Sequence, residues 1–281
     1  MTTPGSDHLP NMGKLGMTKV RSAAVAGTFY PDQPHHLQSA VRTYLSPDGN
    51  NANPTNLSTN KALIVPHAGY RYSGGTASYG YRRWIPLADQ IRRVILLGPP
   101  HREPVHGIAL PDQTHFATPL GLVELDQAAM TRIEQFDFVY RSNSAHQLEH
   151  SLEVQLPFLQ TLLNNFTLVP LLIGECSFQL VAQVLDLLWG DDETVIICSS
   201  DLSHFHPDQQ ARDLDQNTAD LISAKQPTLT SQQACGCRSI NGLLEAARQR
   251  DLTVEKLHYS NSGDNSGDLN RVVGYGAFAV G

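Results

Sequence analysis

Apolar positions in this chain gather into short dense runs, and between the runs they recur every three to four residues. The runs are ALIVP (62–66), RVILLG (93–98), FTLVPLLIG (166–174) and TVIICSS (194–200). They are too short for buried helices, rich in Val, Ile and Leu, and bounded by turn residues, which is the pattern of strands covered on both faces. Helical spacing is expected from His36 to Leu45, through Tyr79 to Leu87, after Asp126, and after Ser177, where Leu180, Val184 and Leu188 share one face. Strands alternating with helices predict an α/β fold, a single layered domain whose central sheet is mostly parallel or mixed and flanked by helices. The closing segment RVVGYGAFAVG reads as one more strand of that sheet.

Two polar stretches frame this pattern. Residues 1–18 mix Pro, Gly and polar residues without a period and are expected to form a flexible tail ahead of a single domain over 19–281. SPDGNNANPTNLSTN, Ser46 to Asn60, is expected to be an exposed connection.

Composition narrows the function classes. A formal net charge of −7, a pI near 5.9 and the lack of any Lys/Arg run argue against affinity for nucleic acid or for an anionic membrane surface. No apolar run approaches the roughly 18 residues that span a bilayer, and the amino terminus lacks the apolar core of a signal peptide, so the cytoplasm is the expected location. In that setting Cys176, Cys198, Cys235 and Cys237 read as thiols. Twelve histidines make imidazole the group to follow.

Three strand candidates end in histidine. IVPHAGY gives His67, LLGPPHRE gives His101, and IICSSDLSHFH gives Asp201, His204 and His206. Residues just past the carboxyl ends of parallel strands converge on one crevice, so these side chains are expected to meet. A single histidine at such a place is more often an ordinary loop residue; three together point to a metal, and two or three imidazoles with one anionic ligand suit Fe, Cu or Zn.

The anionic ligand is either a carboxylate or a thiolate. TSQQACGCRSINGLL sets Cys235 and Cys237 around Gly236 at an apparent helix start, where the dipole favours the thiolate; two small buried residues at a helix start fit the same pattern equally well. In HQLEHSLEVQLPFLQTLL, helical spacing aligns His146, His150 and Glu153, and puts Glu149 on the face of Glu153. His150 and Glu153 are then candidates for orienting a ligand or moving protons, against the alternative of a solvated helix face. Gly69, Gly74 and Gly75 are expected to relax the loop after His67, with Tyr70 and Tyr72 lining the pocket.

The segments RSAAVAGTFYP, VPHAGYRYSG, LLGPPHRE, EHSLEVQLPFL, SSDLSHF, ACG and SGDNSGDLNRVVGYGAFAV, in that order, resemble the Memo family, whose members are also called AmmeMemoRadiSam system protein B. The resemblance covers about Val20 to Gly281. It implies a fold similar to the class III extradiol dioxygenases, non-haem iron(II) enzymes with two histidines and a carboxylate at the metal, where Memo proteins carry a cysteine instead of the carboxylate. Carried across, His67 and His101 would be the histidine ligands and Cys235 the thiolate, with Asp201 beside the metal and His204 in the place of the acid/base histidine. The chain departs from the family pattern at Arg238-Ser239, where a proline is common, and its extra thiol Cys237 stands as the alternative ligand.

Three functions follow as expectations. The first is a redox metalloprotein, iron(II) before copper or zinc, acting on dioxygen, reactive oxygen or an unidentified small molecule. The second, drawn from the resemblance, is a metal- or peptide-binding module with a vestigial dioxygenase pocket that works with AMMECR-like and radical SAM partners. The third is zinc-dependent hydrolysis, ranked last because the HExxH, GxSxG and Walker motifs are all absent from the sequence.

Overall fold

The computed structural model describes residues 18–46 and 60–281; the expected tail, apart from Thr18, and nearly all of the expected connection lie outside the described residues. The four dense apolar runs form the parallel centre of a nine-stranded sheet, side by side in the order Ala62–Val65, Thr194–Ser199, Arg93–Gly98, Thr167–Ile173. Leu63, Ile64, Ile95, Leu96, Ile196 and Ile197 are all fully buried, as strands layered by helices on both faces require.

The sheet is mixed towards its edges. Val272–Val280 lies antiparallel to Ala62–Val65 and pairs along its other edge with Val254–Asn261. At the far side Ile108–Leu110 runs antiparallel to Thr167–Ile173 and parallel to Val139–Arg141. A separate three-stranded sheet of Val20–Arg21, His115–Thr118 and Gly121–Glu124 was not expected, since strands of two to four residues leave no readable period. The principal helices are Pro34–Leu45, Tyr70–Arg82, Phe178–Leu188, Asp208–Ser223 and Cys237–Gln249. Among the described residues no helix is long and apolar enough to cross a membrane.

Two expected elements need correction. The helix expected over Tyr79–Leu87 runs from Tyr70 to Arg82, followed by a separate 3-10 turn at Ile85–Leu87. Its glycines depress helix propensity, yet they serve close packing: a Cβ on Gly80 would lie 2.7 Å from Val65 Cγ1, and one on Gly74 would lie 2.9 Å from the Tyr44 ring. The segment 146–163 is not one helix. Asn143–Gln147 ends before Leu148, Glu153–Gln155 forms a 3-10 turn, and a new helix Leu156–Leu162 starts with Pro157 in its first turn, where a missing N–H costs nothing.

Because the four central strands run the same way, their carboxyl ends share one edge. His67, His101, Glu175 and Asp201 each follow one of them within three residues.

Candidate metal centre

His67 stands two residues beyond Val65, 2% exposed, with its backbone N–H donated to Asp201 Oδ1 at 2.8 Å. Its Nδ1 lies 2.9 Å from Ser199 Oγ. The Ser199 hydroxyl donates to Ser151 O at 2.6 Å and accepts from Gln155 Nε2 at 2.8 Å, so its single proton is committed elsewhere. His67 Nδ1 therefore carries the hydrogen and its Nε2 presents a lone pair. Gln155 holds the same strand end through Pro66 O at 2.9 Å, while its own Oε1 accepts from Tyr81 Oη at 2.8 Å.

His101 follows Gly98 and takes its orientation from Glu149. The carboxylate accepts from the His101 backbone N–H and from His101 Nδ1, the latter at 2.9 Å, so that in the neutral ring the lone pair is on Nε2. His150 is next in the chain to Glu149. Its ring centroid lies 4.6 Å from that of His101 and 5.5 Å from that of His67, with the Phe29 ring 4.8 Å away. One candidate donor atom from each of His67, His101 and His150 can be chosen so that all three lie within 4.8 Å of one another.

Cys235 reaches this cluster at His67, its Sγ 3.4 Å from His67 Nε2. Gly236 caps the helix Cys237–Gln249 and donates its N–H to Ser200 Oγ at 2.9 Å, which brings the cysteine up to the strand end. Cys237 is turned into the apolar core, so of the two thiols it is Cys235 that meets His67.

Burial favours the neutral forms of His67, His150, Asp201 and Cys235. Burial pushes His67 down to about 3 and His150 down to about 4, reinforced in each by a neighbouring imidazole. Burial and the nearby Asp201 push the Cys235 thiol up to about 12, and burial also raises Asp201 itself. Glu149 goes the other way. Burial raises its carboxyl, but hydrogen bonds from His101 and from the backbone prevail and hold it at about 2.

The His67–Cys235 pair has the spacing of two donors on one first-row transition ion, and the three imidazoles could hold one. Nitrogen at about 2.0–2.1 Å and sulfur at about 2.3 Å from one tetrahedral ion stand about 3.5 Å apart, close to the 3.4 Å between His67 Nε2 and Cys235 Sγ. The donors are imidazoles and a thiol whose proton an ion would displace. His101 and Cys235 also open onto a cleft of about 450 Å³ walled by Pro99, Pro100, Pro104 and Val105 together with the charged Arg102, Glu103, Glu175 and Arg238.

The remaining expected site residues divide. Asp201 is in the site through His67 N–H, and His204, in the strand His204–His206, acts electrostatically on both His67 and Asp201. Three others are held elsewhere. Glu153 is fully buried, and its carboxylate accepts from Arg21 Nη1 and Tyr30 Oη at 2.6 Å, Ala24 N at 2.8 Å and Val25 N at 3.0 Å. It anchors the chain's first segment and does not face the histidines. Tyr70 donates its hydroxyl to Val154 O at 2.7 Å and packs its ring among Tyr30, Tyr44 and Phe158, which makes it core. Gly69 caps the helix Tyr70–Arg82 against Phe29 O. Glu149 and Ser199, which orient His101 and His67, escaped the sequence reading. Adjacency of Glu149 to His150 was the available signal, obscured by the assumption of a continuous helix.

A family model described as Memo-like protein matches residues 21–279. The chain is 34% identical over 272 residues to a MEMO1 family protein of Aquifex aeolicus, covering 92% of this chain and 97% of that one. It is 32% identical over 268 residues to one of Thermoplasma acidophilum, covering 91% and 96%. Against one of Methanosarcina barkeri it is 32% identical over 275 residues, covering 93% and 100%.

Proposed function

The chain belongs to the Memo family, and from that premise we propose that it is a redox metalloprotein that takes iron(II), with copper and zinc as competitors, and acts on a small molecule admitted by the proline-walled cleft. The observation that carries this reading is the meeting of His67, His101 and His150 within 4.8 Å, with Cys235 Sγ 3.4 Å from His67 Nε2. His67 and His101 would hold the ion through their bare Nε2 atoms, with Cys235 as thiolate and His150 completing the set. Bound iron or copper would supply one-electron exchange and open coordination positions at the cleft.

The protein's own part is defined by its side chains. Cys235 gives up its proton on loading, and Ser199 keeps Nδ1 of His67 protonated so that Nε2 stays available. His204 serves as acid/base towards a bound molecule, with Asp201 setting the local charge. Arg102, Glu103, Glu175 and Arg238 in the wall of the cleft would bind the polar groups of a molecule that approaches His101 and Cys235.

A second reading is supported by the donor count, since four protein ligands on a tetrahedral ion make a closed structural zinc site. Both readings are tested by metal analysis on protein purified without oxygen, beside His67→Ala, His101→Ala, His150→Ala, Cys235→Ala and Cys237→Ala. Near-stoichiometric iron or copper in the parent and in Cys237→Ala, lost in His67→Ala and His101→Ala, is the expected result. Zinc alone would favour the structural reading. Parent protein that takes up no metal on reconstitution overturns both.

A further inference from the structure

One carboxylate stands behind two of the three imidazoles. Glu149 is 2% exposed and lies in the loop between the helix Asn143–Gln147 and the turn Glu153–Gln155, where no regular structure dictates its direction. Its Oε1 accepts from His101 Nδ1, His150 N and Ser151 N, each at 2.9 Å, and its Oε2 accepts from His101 N. The same Oε1 lies 3.2 Å from His150 Nδ1 without meeting hydrogen-bond geometry, and that buried nitrogen has no hydrogen-bond partner among the described residues. The loop is held from outside by Arg21, whose Nε donates to His146 O and whose Nη2 donates to Glu149 O.

Resting on the reading that His101 and His150 are ligands, we infer that Glu149 is the positioning residue of the metal centre: it fixes the tautomer of His101 and holds the His101 and His150 loops at one separation. A carboxylate only accepts, so the hydrogen it faces must sit on His101 Nδ1, and in the neutral ring the lone pair then sits on Nε2. Two loops, one after the strand Arg93–Gly98 and one about fifty residues later, are joined by four donors on a single side chain. The orphaned His150 Nδ1 beside the same oxygen is the one donor of the set left uncommitted, as expected of a group whose partner is an ion or whose ring turns on loading.

The test uses Co(II) alone as the probe, titrated into metal-free protein and followed by its visible absorption, with the parent compared with Glu149→Gln and Glu149→Asp. Removing an outer-shell partner typically weakens metal binding by about 10–100-fold. That loss is expected for Glu149→Gln, with partial recovery in Glu149→Asp and with circular dichroism unchanged. Equal affinity in parent and Glu149→Gln would overturn the inference. An independent reading comes from long-range ¹⁵N–¹H correlation on the metal-free parent at pH 8, which is expected to show His101 protonated at Nδ1 and bare at Nε2. The opposite tautomer would overturn the inference even if Glu149→Gln failed to fold. Parent protein that binds no Co(II) while showing the expected tautomer would sink the metal reading and leave the orienting role of Glu149 standing.

Discussion

Replacing Glu153 by glutamine removes a charge that the sequence placed at the metal and the structure places in a buried ion pair. Arg21 and Glu153 side chains are 2% and 0% exposed, and their contact is 2.6 Å. In Glu153→Gln the guanidinium keeps its carbonyl acceptors, His146 O and Glu149 O, but loses its counter-charge. Tyr30 Oη and the N–H groups of Ala24 and Val25 meet an amide in place of a carboxylate that accepted from all of them. Leaving one member of a buried pair uncompensated costs about 3–5 kcal/mol, a large part of the roughly 5–15 kcal/mol that holds a typical protein folded. At about 2–4 °C per kcal/mol for chains near this size, the melting temperature falls by about 10 °C. Urea unfolding followed through Trp84 and Trp189 fluorescence reads the loss, and metal stoichiometry below the transition reads the site. The expected pattern is a destabilised protein that still binds one ion. Unchanged stability with metal or activity abolished would refute the argument and return Glu153 to the chemistry.

Two further predictions follow from the same geometry. His67, His146 and His150 are pushed by burial from an ordinary value of 6.5 down to about 3, 4 and 4 in the folded state, so the unfolded chain binds the extra protons; metal-free protein keeps this stability above pH 6.5 and loses it as pH falls towards 4. Three protons correspond to at most about 4 kcal/mol per pH unit near pH 5, and urea midpoints that stay flat from pH 7 to 4.5 would contradict the burial of these rings. In Gly236→Ala the added Cβ would lie 2.7 Å from Ser200 Cβ and 2.8 Å from Ser199 O, neither a flexible chain end, so the helix start must back away. The variant is expected to lose about 1–3 kcal/mol and to lose the thiolate-to-metal absorption of a Co(II)-loaded sample; an unaltered spectrum would mean that Cys235 is not held at the metal by this packing.

The parts readable in advance were those with a strong local signature. Dense Val/Ile/Leu runs declare strands buried on both faces, and the ends of those strands located His67, His101 and Asp201 because parallel topology makes them neighbours in space. What misled was periodicity in 146–163, where residues spaced as on a helix lie in a loop between two short helical pieces. That assumption gave His150 and Glu153 one shared role, whereas the loop turns Glu149 and His150 to the histidines and Glu153 to Arg21. Gly74 and Gly75 suggested a slack loop because the effect of glycine on propensity is visible in sequence, while the helix Tyr70–Arg82 that contains them and the Tyr44 ring against Gly74 are not.

The parallel pairing of Ala62–Val65 with Thr194–Ser199 joins segments more than 130 residues apart, and His67 must then wait for Cys235, 168 residues further along. During synthesis at about 5–20 residues per second, the ribosome delivers the first apolar strand several seconds before its neighbour exists. Antiparallel Val272–Val280, which covers the other edge of Ala62–Val65, is made later still. Such non-local pairing slows folding and exposes strand edges to wrong partners. A nascent chain therefore cannot bring Cys235 to His67 until the segment around Cys235 has left the exit tunnel.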